Sequence, residues 1–142
     1  MLNSIMTSLE AYFGQSEGQS KLGPATQIIS MSTGDFSGKY PKTRALVWQW
    51  LEDLTSIKSG DLDMLAKRLN IHLQNNVYIV DNSFTVVDVV LFYVLQQFVS
   101  ELTQHERQQR FTNLSRWFDF IQHKERVLIN QSFHLFVKNK IY

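Results

Sequence analysis

Asp88 stands near the start of an almost unbroken apolar run, NSFTVVDVVLFYVLQQF, from Asn82 to Phe98. A carboxylate in such surroundings is either a catalytic acid or base or a piece of the scaffold. General acid-base work needs a second titratable group or a nucleophile in reach, and none can be placed beside Asp88. The spacing fits a helix-end device instead. In Thr85-Val86-Val87-Asp88 the threonine oxygen accepts from the Asp88 amide, and the carboxylate accepts from the Thr85 amide, a capping box. Phe84 before the cap and Val89 four residues after it supply the hydrophobic staple. Asp88 also falls in the first helical turn, where the helix dipole favours negative charge. Asp88 is therefore assigned to the scaffold, and no catalytic residue is named.

The other chemistry-bearing residues are dispersed. His72, His105, His123 and His134 contain no pair at the i, i+4 spacing that holds zinc on a helix, and no acidic cluster supplies calcium-type ligands. Gly14, Gly18 and Gly23 do not connect a strand to a helix, so no phosphate loop is predicted. Neither a metal nor a cofactor is expected. The chain has no cysteine, which excludes a thiolate nucleophile, a disulfide framework and a thiolate metal site, and fits a reducing compartment. Fourteen Lys and Arg against thirteen Asp and Glu leave a formal charge of +1, too little to steer a polyanion, so direct nucleic-acid binding is not expected. The longest apolar stretch, residues 89–95, is far below the roughly 20 residues of a membrane-spanning helix, and the first residues lack a signal pattern. The expectation is a soluble cytoplasmic protein, with the nucleus also open.

The elements that would position these residues are mostly helical. The 142 residues, 44% hydrophobic with two prolines and six glycines, suffice for one core and a small appendage. Leu2, Ile5, Met6, Leu9, Tyr12 and Phe13 predict a short amphipathic helix ended by Gly14. Residues 15–40 turn to Gly, Ser and Gln, with one candidate strand over residues 27–31. After Pro41, the stripe Leu46, Val47, Trp50, Leu51, Leu54 and Ile57 predicts a helix over about residues 42–57. Asp61 is the expected N-cap of a second helix that buries Leu62, Leu65, Ala66, Leu69 and Leu73 and ends near Asn75 and Asn76. Residues 77–80 form an apolar connector to the helix opened by Thr85. A second capping box, Thr103-Gln104-His105-Glu106, opens a short polar helix to about Gln109. Asn113 is expected to cap a last helix with Leu114, Trp117, Phe118 and Ile121 inward. Further apolar residues, Val127 to Tyr142, follow.

Two outward faces stand out. Trp48 points away from the Leu46, Trp50 and Leu54 stripe; it either meets a partner or lies covered by its own chain. On the last helix Arg116, Asp119, Phe120 and His123 form the outer stripe. It is either an interface patch or holds a plain exposed Arg116–Asp119 pair at i, i+3.

Asn82-Ser-Phe-Thr-Val-Val-Asp-Val-Val-Leu-Phe92 resembles the capped segment of the helical domain of glutathione transferases. With Asn113-Leu-Ser-Arg-Trp-Phe-Asp-Phe-Ile-Gln-His123, Val47-Trp-Gln-Trp-Leu-Glu52, Asn76-Val-Tyr-Ile79 and Phe136-Val-Lys-Asn-Lys-Ile-Tyr142, the likeness narrows. Over about residues 44–142 the chain is similar to the family of aminoacyl-tRNA synthetase complex-interacting multifunctional protein three, also called elongation factor one epsilon. The resemblance implies a mainly α protein: a glutathione transferase-like carboxy-terminal helical bundle over residues 41–142, behind a shortened, remnant thioredoxin-like region over residues 1–40. It implies a non-enzymatic scaffold that binds the transferase-like domains of methionyl- and glutamyl-prolyl-tRNA synthetases. Arg116 then resembles the family's arginine toward a second such domain, and the helix of Trp48 resembles part of a dimer-like interface toward methionyl-tRNA synthetase. The alternative from the enzyme class is a glutathione-dependent transferase, and a tRNA-binding accessory role is a third reading.

Overall fold

The computed structural model describes Leu9, Ile28, Ile29 and residues 34–123. The main elements are α1 (Pro41–Ser56), α2 (Leu62–His72), α3 (Val86–Glu101), α4 (Gln104–Gln109) and α5 (Thr112–Gln122), with short 3-10 turns at Gly34–Ser37 and Ser59–Asp61. The protein is mainly helical. Among the described residues there is no strand, only an isolated antiparallel bridge between Val80 and Ser83. None of the described helices is long and apolar enough to cross a membrane.

The composition of α3 dictates its place. Residues 86–95 are all buried, Asp88 among them, as a helix that is apolar all round must be when other helices surround it. It packs on α1, α2 and α5, and α5 in turn packs on α2 and α4. Phe92 of α3 stacks on Phe118 of α5 with ring centres 4.5 Å apart, and Phe98 meets Phe111 edge-on at 5.6 Å. The outer helices are one-sided. α1 buries Thr43, Val47, Leu51 and Leu54, α2 buries Leu65, Ala66 and Leu69, and α5 buries Leu114, Trp117, Phe118, Ile121 and Gln122. Leu46, Trp50 and Ile57 of the expected α1 stripe pack at the margin of this core.

Helix ends show where local reading meets its limit. α1 opens with Pro41 at a position that needs no N–H. Before it, Gly38 has φ 107° and a Cβ there would lie 2.7 Å from the Arg44 nitrogen, so a side chain is excluded both by conformation and by space. Asp61 does precede α2, but its side chain makes no capping bond. Its φ −97° and ψ 8° belong to the preceding 3-10 turn, not to the extended geometry that aims a side chain back at the helix. α2 ends at His72, short of the expected Asn75 and Asn76. Asn76 Nδ2 donates to the His72 carbonyl at 2.7 Å, and Arg116 Nη2 donates to the Leu73 carbonyl at 2.6 Å, so side chains satisfy the last carbonyls. Nor does Asn113 cap α5. The cap comes from α2, where Asn70 Oδ1 accepts from the Asn113 and Leu114 amides at 3.0 and 3.1 Å.

Before residue 34, Ile28 and Ile29 are helical, which corrects the strand expected over residues 27–31. A short apolar run has no periodicity to separate the two conformations. Of the helix expected from Leu2 to Phe13, Leu9 is described; it is helical and, with Ile28, fully buried. The remainder of that helix, His134 and the apolar residues from Val127 to Tyr142 lie outside the described residues.

Candidate partner-binding surfaces

Asp88 is fully buried and its carboxylate gathers three elements. Oδ2 accepts from the Thr85 amide at 3.1 Å, while Oδ1 accepts from the Ile79 amide at 3.2 Å and from the Trp117 indole N–H at 2.9 Å. Burial pushes the carboxyl up to about 6, against the lowering effect of the bonds from Trp117 and the amides of Thr85 and Ile79. The capping-box arrangement is present, but one half departs from expectation. The Asp88 amide donates to the Thr85 carbonyl at 3.1 Å in a tight first turn, and the buried Thr85 Oγ1 has no hydrogen-bond partner. Phe84 lies half-buried with its ring 5.6 Å from Phe36 and 6.0 Å from Tyr78, and Val89 is fully buried. This geometry is that of a scaffold joint. Among the described residues no three metal-ligating side chains gather.

The irregular connector between α2 and α3 is fastened from every side. Asp81 and Asn82 turn it with φ 49° and 51°, and the Ser83 amide closes the turn on the Val80 carbonyl at 3.0 Å. Thr43 of α1 donates to Asp81 Oδ2 at 2.8 Å, and His72 Nε2 of α2 donates to the Ile79 carbonyl at 2.7 Å. From α5, Arg116 reaches the carbonyls of Leu73 and Asn76, at 2.6 and 3.3 Å. The ring of Phe120 lies 5.7 Å from Tyr78. Connector and α5 thus present one continuous outer surface, which includes Val77, 56% exposed, and Phe120, 43% exposed.

Arg116, Asp119, Phe120 and His123 all lie on the outer side of α5, opposite the buried stripe. The Arg116–Asp119 ion pair is not formed: Arg116 binds backbone carbonyls of the connector, and Asp119 Oδ1 accepts from Gln122 Nε2 at 2.8 Å. His123 Nδ1 donates to the Asp119 carbonyl at 2.6 Å. Trp48 projects from α1, 37% exposed, and no described contact joins it to the α5 group. The structure therefore holds two separate outer faces. Sequence reading missed Asn70, the Trp117 indole N–H and the backbone bonds of Arg116. Of these, one left a signal: a buried tryptophan needs an acceptor and a buried aspartate needs donors.

These features define an all-helical bundle whose candidate functional residues sit on exposed helix faces. Residues 43–125, which span α1 to α5, match the Arc1p N-terminal-like family, described as nuclear-export cofactor Arc1p. The chain is 36% identical over 124 residues to human eukaryotic translation elongation factor 1 epsilon-1, covering 83% of this chain and 71% of the human one. It is 32% identical to the mouse protein over the same coverage. It is 23% identical over 131 residues to the tRNA-aminoacylation cofactor arc1 of Schizosaccharomyces pombe, of which it spans 28%. The chain belongs to the family of eukaryotic translation elongation factor 1 epsilon-1.

Proposed function

We propose that this protein is a cofactor or adaptor in translation that works with aminoacyl-tRNA synthetases and performs no catalysis of its own. The names of its relatives, elongation factor 1 epsilon-1 and tRNA-aminoacylation cofactor, support the general role. The observation that carries the adaptor reading is the outer side of α5. Arg116, Asp119, Phe120 and His123 are aligned there on a helix whose other side is anchored in the core. Arginine and aromatic side chains on a rigid surface are the usual anchors of protein interfaces. Asp88, the residue most suggestive of catalysis, is occupied by three N–H donors and serves the scaffold.

In its finer form, the reading makes residues 41–142 a glutathione transferase-like helical domain behind a shortened region of residues 1–40. The α5 face and the Trp48 face each take a transferase-like domain, one from glutamyl-prolyl-tRNA synthetase and one from methionyl-tRNA synthetase. The site of action is the cytoplasm, with the nucleus open as well. Mixing the purified chain with those two domains and measuring mass in solution tests this. Complexes are expected at micromolar concentration, and none forming would count heavily against the reading. Arg116→Ala should weaken binding of one domain while the other still binds. Equal affinity for both domains in variant and native chain would remove Arg116 from the interface.

A further inference from the structure

The outer side of α2 carries the two most exposed large apolar side chains among the described residues. Met64 and Ile71 are each 71% exposed, and they lie seven residues, about 10 Å, apart on one face of the helix. Beside Met64 opens a cleft of about 390 Å³ between the end of α1 and the start of α2, lined by Ile57, Asp61, Met64, Leu65 and Arg68. An exposed apolar knob and an apolar hole thus stand side by side. Charge is ordered along the same face. Asp61 and Asp63 precede Met64, and Lys67 and Arg68 follow it; all four are exposed. At about 100° per residue, Asp61 and Arg68 fall on one side of Met64, and Asp63 and Lys67 on the other. The first side is the one toward α1, since Arg68 lies over the Trp50 ring at 4.9 Å and meets Asp53 at 3.3 Å.

We propose that this face binds a second copy of the same chain, the two α2 helices lying antiparallel about a two-fold axis that passes beside Met64 and Leu65. In such a self-complementary contact, if one residue meets another, the second meets the first across the axis. The axis keeps each flank of one helix against the same flank of the other. On the α1 side Asp61 of each copy therefore faces Arg68 of the other, and on the far side Asp63 faces Lys67. Met64, an unbranched and adaptable side chain, enters the other copy's cleft next to the axis. Ile71 comes over the other copy's turn at Ser59–Asp61, where the neighbourhood of Gly60 is open. A parallel pairing would set Asp61 against Asp61 and Arg68 against Arg68, so the charges select the orientation. Within one chain Lys67 meets Asp63 at 2.7 Å and Arg68 meets Asp53 at 3.3 Å, with all four side chains about half exposed. Exposed pairs of this kind are weak, so exchanging them for pairs across the axis costs little. The contact is distinct from the Trp48 face. Trp50 turns toward α2, and Trp48, two residues earlier, points about 200° away from it.

A dimer through α2 goes beyond the adaptor reading and does not rest on it, because it leaves the α5 face and the Trp48 face open. A contact centred on one helix is at the small end of specific interfaces, so the dimer forms at roughly 10–100 µM. Sedimentation equilibrium of the full chain across that range should show monomer and dimer. Asp61→Lys and Arg68→Glu should each weaken dimerisation about tenfold or more, since each creates two like-charge contacts across the axis. Asp61 makes no capping bond, so its replacement removes no helix cap. Mixing the two variants should restore association, because both pairs are again of opposite sign. The double variant Asp61→Lys/Arg68→Glu should dimerise like the native chain, which separates loss of the contact from loss of the fold. Trp48→Ala should leave the dimer unchanged. A native chain that stays monomeric at about 100 µM, a mixture no tighter than either variant alone, or a dimer that Trp48→Ala disperses overturns the proposal. A monomer that still binds the synthetase domains removes the dimer and leaves the adaptor reading standing.

Discussion

The same four-residue device opens α3 and α4, and the two copies have different fates. At α4 the box is exposed and complete. The Thr103 amide donates to Glu106 Oε2 at 2.9 Å, the Glu106 amide donates to Thr103 Oγ1 at 3.2 Å, and the threonine hydroxyl adds a bond to the same carboxylate at 2.9 Å. All partners lie within the device. At α3 the carboxylate is buried, and it spends Oδ1 on the connector and on Trp117 of α5. The Thr85 hydroxyl is left without a partner. A local motif thus becomes a tertiary joint when burial removes water as the alternative ligand and packing brings in other donors.

The largest test of this contrast is Asp88→Ala. It leaves the Ile79 and Thr85 amides and the Trp117 indole N–H without an acceptor in the interior, and should cost about 3–5 kcal/mol in urea unfolding. A cost below about 1 kcal/mol would break the comparison, because it would make the buried box no more than a cap. Asp88→Asn keeps an acceptor of the same shape, so it should cost less and leave the affinity of the remaining folded protein for partners unchanged.

The two carboxylates should also respond to pH with opposite sign. The Asp88 carboxyl, raised to about 6 in the folded chain, holds its proton while the unfolded chain has released it. Its contribution is fully present below about pH 4 and is lost as pH rises through about 6, a change of roughly 3 kcal/mol. Glu106 is held below the usual carboxylate range by the amide and hydroxyl of Thr103. Its contribution is present at neutral pH and lost as pH falls through its folded value. Unfolding free energies of the native chain and Asp88→Asn between pH 4 and 8 isolate the first effect. A difference between them that stays constant with pH would rule out the buried titration.

Smaller effects grade the caps by distance. Asn70→Ala removes the oxygen that serves two α5 amides from α2, and a loss of about 1–2 kcal/mol is expected by thermal or urea unfolding. Thr103→Ala, whose partners are exposed and local, should cost about 0.5–1 kcal/mol. If Thr103→Ala proved costlier than Asn70→Ala, caps supplied across the fold would carry no advantage over local ones here.

Much of this bundle was legible from residue order. The inward stripe of α5, the outward turn of Trp48 and the span of α4 follow from which positions share a helix face or a first turn. The errors fell where one residue type could serve two arrangements. Asp61 and Asn113 both had the chemistry of an N-cap, and backbone conformation in one case and a competing side chain in the other assigned them elsewhere. The candidate surfaces were legible only as faces. That Arg116 fastens the end of α2 while lying on the outer side of α5 could not be read from its own helix.

Contacts three or four residues apart are imposed by the geometry of a helix, so sequence spacing encodes them directly. The bonds of Trp117 to Asp88, Asn113 to Asn70 and Arg116 to Leu73 join positions 29, 43 and 43 residues apart. No periodicity relates such positions. They met because α5 buried its apolar stripe against α2 and α3, and that burial, driven by water's exclusion from the stripe, carried the polar partners into reach.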